Sequence, residues 1–99
     1  KFGLVLPPGG IGAPGQVLSY RELRDFALQA EDLGFDSVWI YDHTVFEFPE
    51  REPEATLECW TVLTGLAEAT QRVELGTFVI CTAFRNPALR AAGSTTLGW

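Results

Sequence analysis

The sequence predicts an α/β fold of parallel βα units, and three observations carry that prediction. Short apolar runs alternate with helical stretches in the order β-α-β-α-β-α. The strands begin near positions 2, 36 and 73. Spacings of about 35 residues are those of right-handed βαβ crossovers, which pair strands in parallel and set the helices outside the sheet.

Residues 2–6, FGLVL, form a continuous apolar run closed by Pro7 and Pro8, which suits a short strand buried on both faces. Behind it lies GIGAPG, residues 10–15, a formal match to the G-x-G-x-x-G dinucleotide turn. In that turn the glycines open the helix, so that its first amides face the pyrophosphate. Here Pro14 stands inside the motif and the helix has its own cap at Ser19. Asp42 meets only loosely the acidic position expected downstream, so the stretch reads as an irregular loop over the mouth of a site.

The clearest helix follows. Ser19 and Glu22 have capping-box spacing, and Tyr20, Leu23, Phe26, Ala27, Ala30 and Leu33 recur on one face. Gly34 is its natural stop, and Arg21–Asp25 is a surface pair on its outer side. DSVWIY, 36–41, is the second strand. DHTVFEFPEREPEA, 42–55, is a polar, aromatic, proline-containing loop long enough to imply a job of its own. TLECWTVLTGLAEAT, 56–70, is apolar over more than half its circumference and predicts a helix packed between neighbours. VELGTFVI, 73–80, is the third strand. After the loop CTAFR, Asn86 caps a helix with Pro87 in its first position. Three such strands leave open sheet edges and a partly covered face, so the chain is expected to be the leading part of a larger α/β protein.

Composition narrows the function. The chain has 99 residues, 46% of them hydrophobic, and 13 acidic against 7 basic side chains, a net charge of −6 with no basic stripe. That balance argues against nucleic acid as a partner. No apolar run approaches the roughly 18–20 residues that span a bilayer, and no signal peptide is visible, so the expected location is cytoplasmic. Lys1 in first place points to a few residues ahead of it. Cys59 and Cys81 read as free thiols in a reducing compartment, with Cys81 a small packing residue, and a single histidine leaves no basis for a protein-built metal site.

The chemistry is expected at WIYDHTVF, 39–46. Asp42 and His43 stand at the carboxyl end of the second strand, where parallel α/β folds place their active sites. Histidine titrates near neutrality, so His43 can accept and return a proton, and a neighbouring carboxylate can raise its basicity or hold a polar ligand group. The plainer alternative has Asp42 capping the loop and His43 making an ordinary loop hydrogen bond. Trp39 and Trp60 are assigned to core packing in preference to ring stacking.

FGLVLP at the start, AEDLGFDSVWIYDH at 30–43, LECWTVLTGLAEATQRVELGTFV at 57–79 and RNPALRAA at 85–92 together resemble the luciferase-like monooxygenase family, over nearly the whole chain. The resemblance implies a TIM (β/α)8 barrel, of which these residues would be the first three βα units of one domain. It implies a flavin- or deazaflavin-dependent oxidoreductase. An aspartate-histidine pair at this strand end resembles the branch that uses coenzyme F420, with His43 as proton donor or acceptor and Asp42 at the polar edge of the ring. The family's third strand often ends in a non-proline cis peptide behind that ring, which places Thr77, Phe78 and Val79 at the cofactor. The threonine or serine common near Ile80 and Cys81 is replaced here by an apolar residue and a thiol.

The function implied is hydride transfer between F420 and a small organic substrate. The alternatives are an FMN-dependent monooxygenase using reduced flavin and oxygen, served by a flavin reductase, and a non-catalytic truncated chain. Activity is expected of the complete protein rather than of these 99 residues alone. The expected partners are a small-molecule substrate and a second copy in a homodimer, with no nucleic acid and no membrane.

Overall fold

A computed structural model describes residues 1–7, 16–49 and 51–97, so GIGAPG lies outside the described residues. In chain order the elements are β1 (Gly3–Val5), α1 (Tyr20–Asp32), β2 (Ser37–Ile40), β3 (Val45–Phe48), β4 (Arg51–Ala55), α2 (Cys59–Ala69), β5 (Glu74–Thr77), a 3-10 turn (Thr82–Phe84) and α3 (Pro87–Leu97). β1, β2 and β5 form a parallel sheet in that order, with Leu4 beside Val38 and Val38 beside Leu75. These are the three expected parallel βα units. The strands are a residue or more shorter than the apolar runs, yet ladder bonds reach beyond them: Leu6 N–H donates to the Trp39 carbonyl at 2.8 Å and Phe78 N–H to the Ile40 carbonyl at 2.7 Å.

The caps explain where the helices stop and start. Ser19 Oγ accepts from Glu22 N–H at 3.3 Å while the Glu22 carboxylate accepts from Ser19 N–H at 2.8 Å, the reciprocal box that the spacing predicts. Gly34 takes φ +88° and ends α1, a conformation that side-chain-bearing residues rarely adopt. The helix expected from residue 56 instead begins at Cys59, because the Glu58 carboxylate accepts from the N–H groups of Trp60, at 3.1 Å, and Thr61, at 2.8 Å. A carboxylate there also complements the positive end of the helix dipole. Asn86 caps α3 as expected, taking Ala88 N–H at 2.8 Å. On α1, Asp25 pairs with Arg24 rather than with the expected Arg21.

The core lies between one face of the sheet and the helices. Val38 and Ile40 of β2 meet Ala27 and Ala30 of α1 and Val62, Leu63 and Leu66 of α2, all buried. Strand side chains alternate between faces, so Trp39 projects from the other one, where it remains 37% exposed. Its indole lies across Gly76, its ladder partner on β5, and across Gly3 of β1. At the amino end of β5, the Glu31 carboxylate at the foot of α1 accepts from the N–H groups of Gln71, Arg72 and Val73 at 2.6–3.0 Å, which ties α1 to the third strand.

Residues 42–55 depart from the expected loop. β3 and β4 form an antiparallel hairpin, pairing Val45 with Ala55 and Phe46 with Glu54, with an irregularity between Phe46 and Phe48. The run V-F-E-F, rich in β-branched and aromatic residues, has strand character. Thr56 N–H closes the base of the hairpin on the Thr44 carbonyl at 3.1 Å.

Candidate functional site

The carboxyl ends of β2 and β5 gather the polar residues of interest. Asp42, two residues beyond β2, is 6% exposed. A buried carboxylate must be matched by donors, and here three are present. Cys81 N–H donates to Oδ2 at 2.7 Å, and Arg85 spreads its guanidinium across both oxygens, Nη2 reaching Oδ1 at 2.7 Å and Nη1 reaching Oδ2. The same Nη2 also donates to the Glu58 carboxylate. One arginine thus bridges the end of β2 and the cap of α2 from the segment that follows β5.

Protonation follows this geometry. Burial alone would push the Glu58 carboxyl up, but hydrogen bonds from the Thr61 hydroxyl and N–H, from Arg85 and from Trp60 N–H hold it down at about 2. The hydrogen bond to Asp42, and then that to Glu58, raise Arg85 above its ordinary value. Glu58 and Arg85 are therefore both charged at neutral pH. Cys59 lies beneath them, and burial first, then the nearby Asp42 charge, push its thiol up to about 12, which makes it inert as a nucleophile. Both cysteines are free.

His43 is exposed at the same rim. Its ring lies 6.0 Å from that of Tyr41, tilted by 38°, and Tyr41 in turn meets Phe78 edge to face at 6.0 Å. The His43 carbonyl accepts from the Thr56 hydroxyl. Phe78–Val79 is a cis peptide bond without proline, at the place where the family resemblance puts one. Phe78 and Val79 are 56% and 70% exposed. On the other side of His43 opens a cavity of about 440 Å³, lined among others by Asp42, His43, Glu58, Trp60, Arg85 and Arg90.

Every site residue expected from the sequence therefore stands at one end of the sheet. His43 is linked to Phe78 through Tyr41, whose ring meets both, and Asp42 accepts from Cys81 N–H just beyond the Thr77–Val79 segment. Thr77, Phe78 and Val79 do not line the 440 Å³ cavity. Trp60 is half-buried against the core and stands over Gly93 of α3, which agrees with a packing role, whereas Trp39 covers the open face instead. Sequence reasoning missed Glu58 and Arg85. Both fall within quoted segments, LECW and RNPALRAA, as isolated charges amid largely apolar or small residues, and that isolation was the available signal. Among the described residues no group of three or more histidine, cysteine or acidic side chains has the geometry to hold a metal, and no helix is long and apolar enough to cross a membrane.

Parallel strands joined by helices, with ionisable side chains and irregular backbone collected at the carboxyl rim, define the class: proteins built from the βα units of a (β/α)8 barrel, which act at that rim. The chain belongs to the luciferase-like monooxygenase family, whose model matches residues 1–98. It is 42% identical over 91 residues to an F420-dependent glucose-6-phosphate dehydrogenase of Kineococcus radiotolerans, across 90% of this chain and 26% of that protein. The corresponding enzyme of Amycolatopsis mediterranei is 36% identical over 91 residues, across 89% and 26%. Among solved structures, an F420-dependent secondary alcohol dehydrogenase in complex with an F420–acetone adduct superposes with a TM-score of 0.72 at 25% identity, covering 98% of this chain and 27% of that one. The chain thus spans about a quarter of the length of the relatives it matches.

Proposed function

We propose that these residues are the opening three βα units of a single barrel domain, and that the complete protein is an F420-dependent oxidoreductase acting on a small hydroxyl-bearing substrate in the cytoplasm. The observation that carries this reading is the position of His43. It stands on the carboxyl rim with the ion-paired Asp42 before it and the Tyr41–Phe78 ring contact beside it. Relatives matched over this stretch are F420-dependent glucose-6-phosphate dehydrogenases and an F420-dependent secondary alcohol dehydrogenase. A homodimer is the expected assembly.

The residues present fit the planar part of such a cofactor. Phe78 and Val79 offer an apolar, solvent-open surface next to the cis bond, and His43 and Asp42 offer polar groups at its edge. Thr77, Phe78 and Val79 would hold the ring. When bound, the deazaflavin supplies the acceptor for a hydride. The chain's own contribution is acid–base and positional. His43 takes the hydroxyl proton through an imidazole nitrogen as the substrate is oxidised, and returns it in the reverse direction.

His43→Ala in the complete protein tests this. Cofactor affinity is expected to stay within about tenfold while turnover falls by roughly 10²–10⁴, the usual contribution of a general acid–base residue. Unchanged turnover removes His43 from the mechanism. The absorption and emission of the co-purified cofactor decide separately between F420 and FMN.

A further inference from the structure

We infer that Arg85 is a positioning residue of this site: its grip on Asp42 and Glu58 fixes the rim segment that presents His43. The inference rests on the proposed role of His43.

Three elements that are distant in sequence converge on this one side chain. Arg85 lies 43 residues from Asp42 and 27 from Glu58, and links the end of β2 to the N-terminus of α2 from the segment after β5. The Arg85 and Asp42 side chains are only 12% and 3% exposed. Net stabilisation is a weak reason for such a pair, because desolvating two charges costs about as much as their attraction returns, and an apolar pair of similar volume would serve as well. What the pair does supply is geometry. A guanidinium is a planar fork that grips a carboxylate through two nitrogens, and Asp42 is gripped in that way while Cys81 N–H holds Oδ2 from the side.

His43 is the next residue. Its backbone is therefore held on both sides, by the clamp on Asp42 before it and by the Thr56 hydroxyl on its own carbonyl. The imidazole is left exposed to the cavity. A proton-transfer group gains from that arrangement, since a displacement of about 1 Å at a reacting group can cost on the order of 10²-fold in rate. Lysine at position 85 would keep the charge and lose the fork.

The test uses Arg85→Gln and Arg85→Lys in the complete protein, with His43→Ala in parallel. In the cofactor-free protein, Arg85→Gln should speed amide exchange at Cys81 and across 41–44 while leaving Val38 and Leu63 protected. In turnover, kcat should fall about 10–100-fold with KM and cofactor affinity within roughly threefold, and Arg85→Lys should recover part of the loss. If Arg85→Gln does not fold, Arg85→Lys carries the same comparison at smaller amplitude. The inference is overturned if the rim amides keep their protection, or if kcat is unchanged in Arg85→Gln while His43→Ala is impaired. Normal turnover in His43→Ala defeats the functional reading instead.

Discussion

Adding one methyl group at Gly76 tests the packing beneath the site. Gly76 lies beside Trp39 in the ladder, and a Cβ there would meet the indole at 2.4 Å from Cε3 and 2.5 Å from Cζ3. Ordinary van der Waals contact begins at 3.4 Å, so the ring must rise by about 1 Å (3.4 − 2.4). It cannot slide sideways instead. A slide would break the bond that its Nε1 donates to Ser37 Oγ at 2.9 Å. Overpacking of this kind costs about 1–3 kcal/mol and loss of the Trp39–Ser37 bond about 1 more. Replacing glycine in a strand returns about 0.5–1 kcal/mol through the unfolded chain. The expected net loss is about 1–3 kcal/mol. At an m-value of about 2 kcal/mol/M, a 2 kcal/mol loss lowers the urea midpoint by roughly 1 M. Tryptophan fluorescence reads both the midpoint and the displaced indole. In a Trp39→Ala background the clash is gone and only the gain of about 0.5–1 kcal/mol should remain, because the two residues are coupled only through that contact. A Gly76→Ala protein with an equal or higher midpoint would refute this account of the open face.

Acid and thiol chemistry give further checks. Glu58 is held down at about 2, and Glu31 is also lowered, chiefly by the N–H groups of Val73 and Arg72. A lowered carboxyl contributes stability that is complete above its ordinary value of 4.5 and is lost as pH falls through the folded value, so Glu58→Gln should flatten the decline in Tm between pH 4.5 and about 2. A slope as steep as that of the parent protein would argue against these contacts. Cys59, buried with its thiol pushed up to about 12, should resist alkylation in the folded protein and react once unfolded in urea. Mass spectrometry of peptides containing Cys59 and Cys81 reads this directly, and rapid labelling of folded Cys59 would count against the packing around it.

Much of the frame was legible in the residues. The Ser19–Glu22 box, Gly34, Asn86 and Pro87 are local signals read within one helical turn, and each sits where expected. The rim placement of Asp42, His43 and the 77–79 segment followed from strand order, since parallel strands put all their carboxyl ends at one edge. The hairpin was not legible. Its four-residue first strand competes with Pro49 and Pro53, and only pairing with the second half of the same loop settles its state. Glu58 at the head of α2 was missed because glutamate is an uncommon cap.

The sequence by itself determined the rhythm of βα units, the helix ends and the edge of the sheet at which an acid and an imidazole would appear, because periodicity and capping act over a few residues. Only the tertiary structure decided that Arg85 spans Asp42 and Glu58, and that Trp39 lies flat across two glycines on neighbouring strands. Those contacts depend on the registers Trp39–Gly76 and Val5–Trp39 and on which face of β2 the helices cover. No short-range pattern encodes such a meeting, since it arises when separate elements, each locally satisfied, close over a common core.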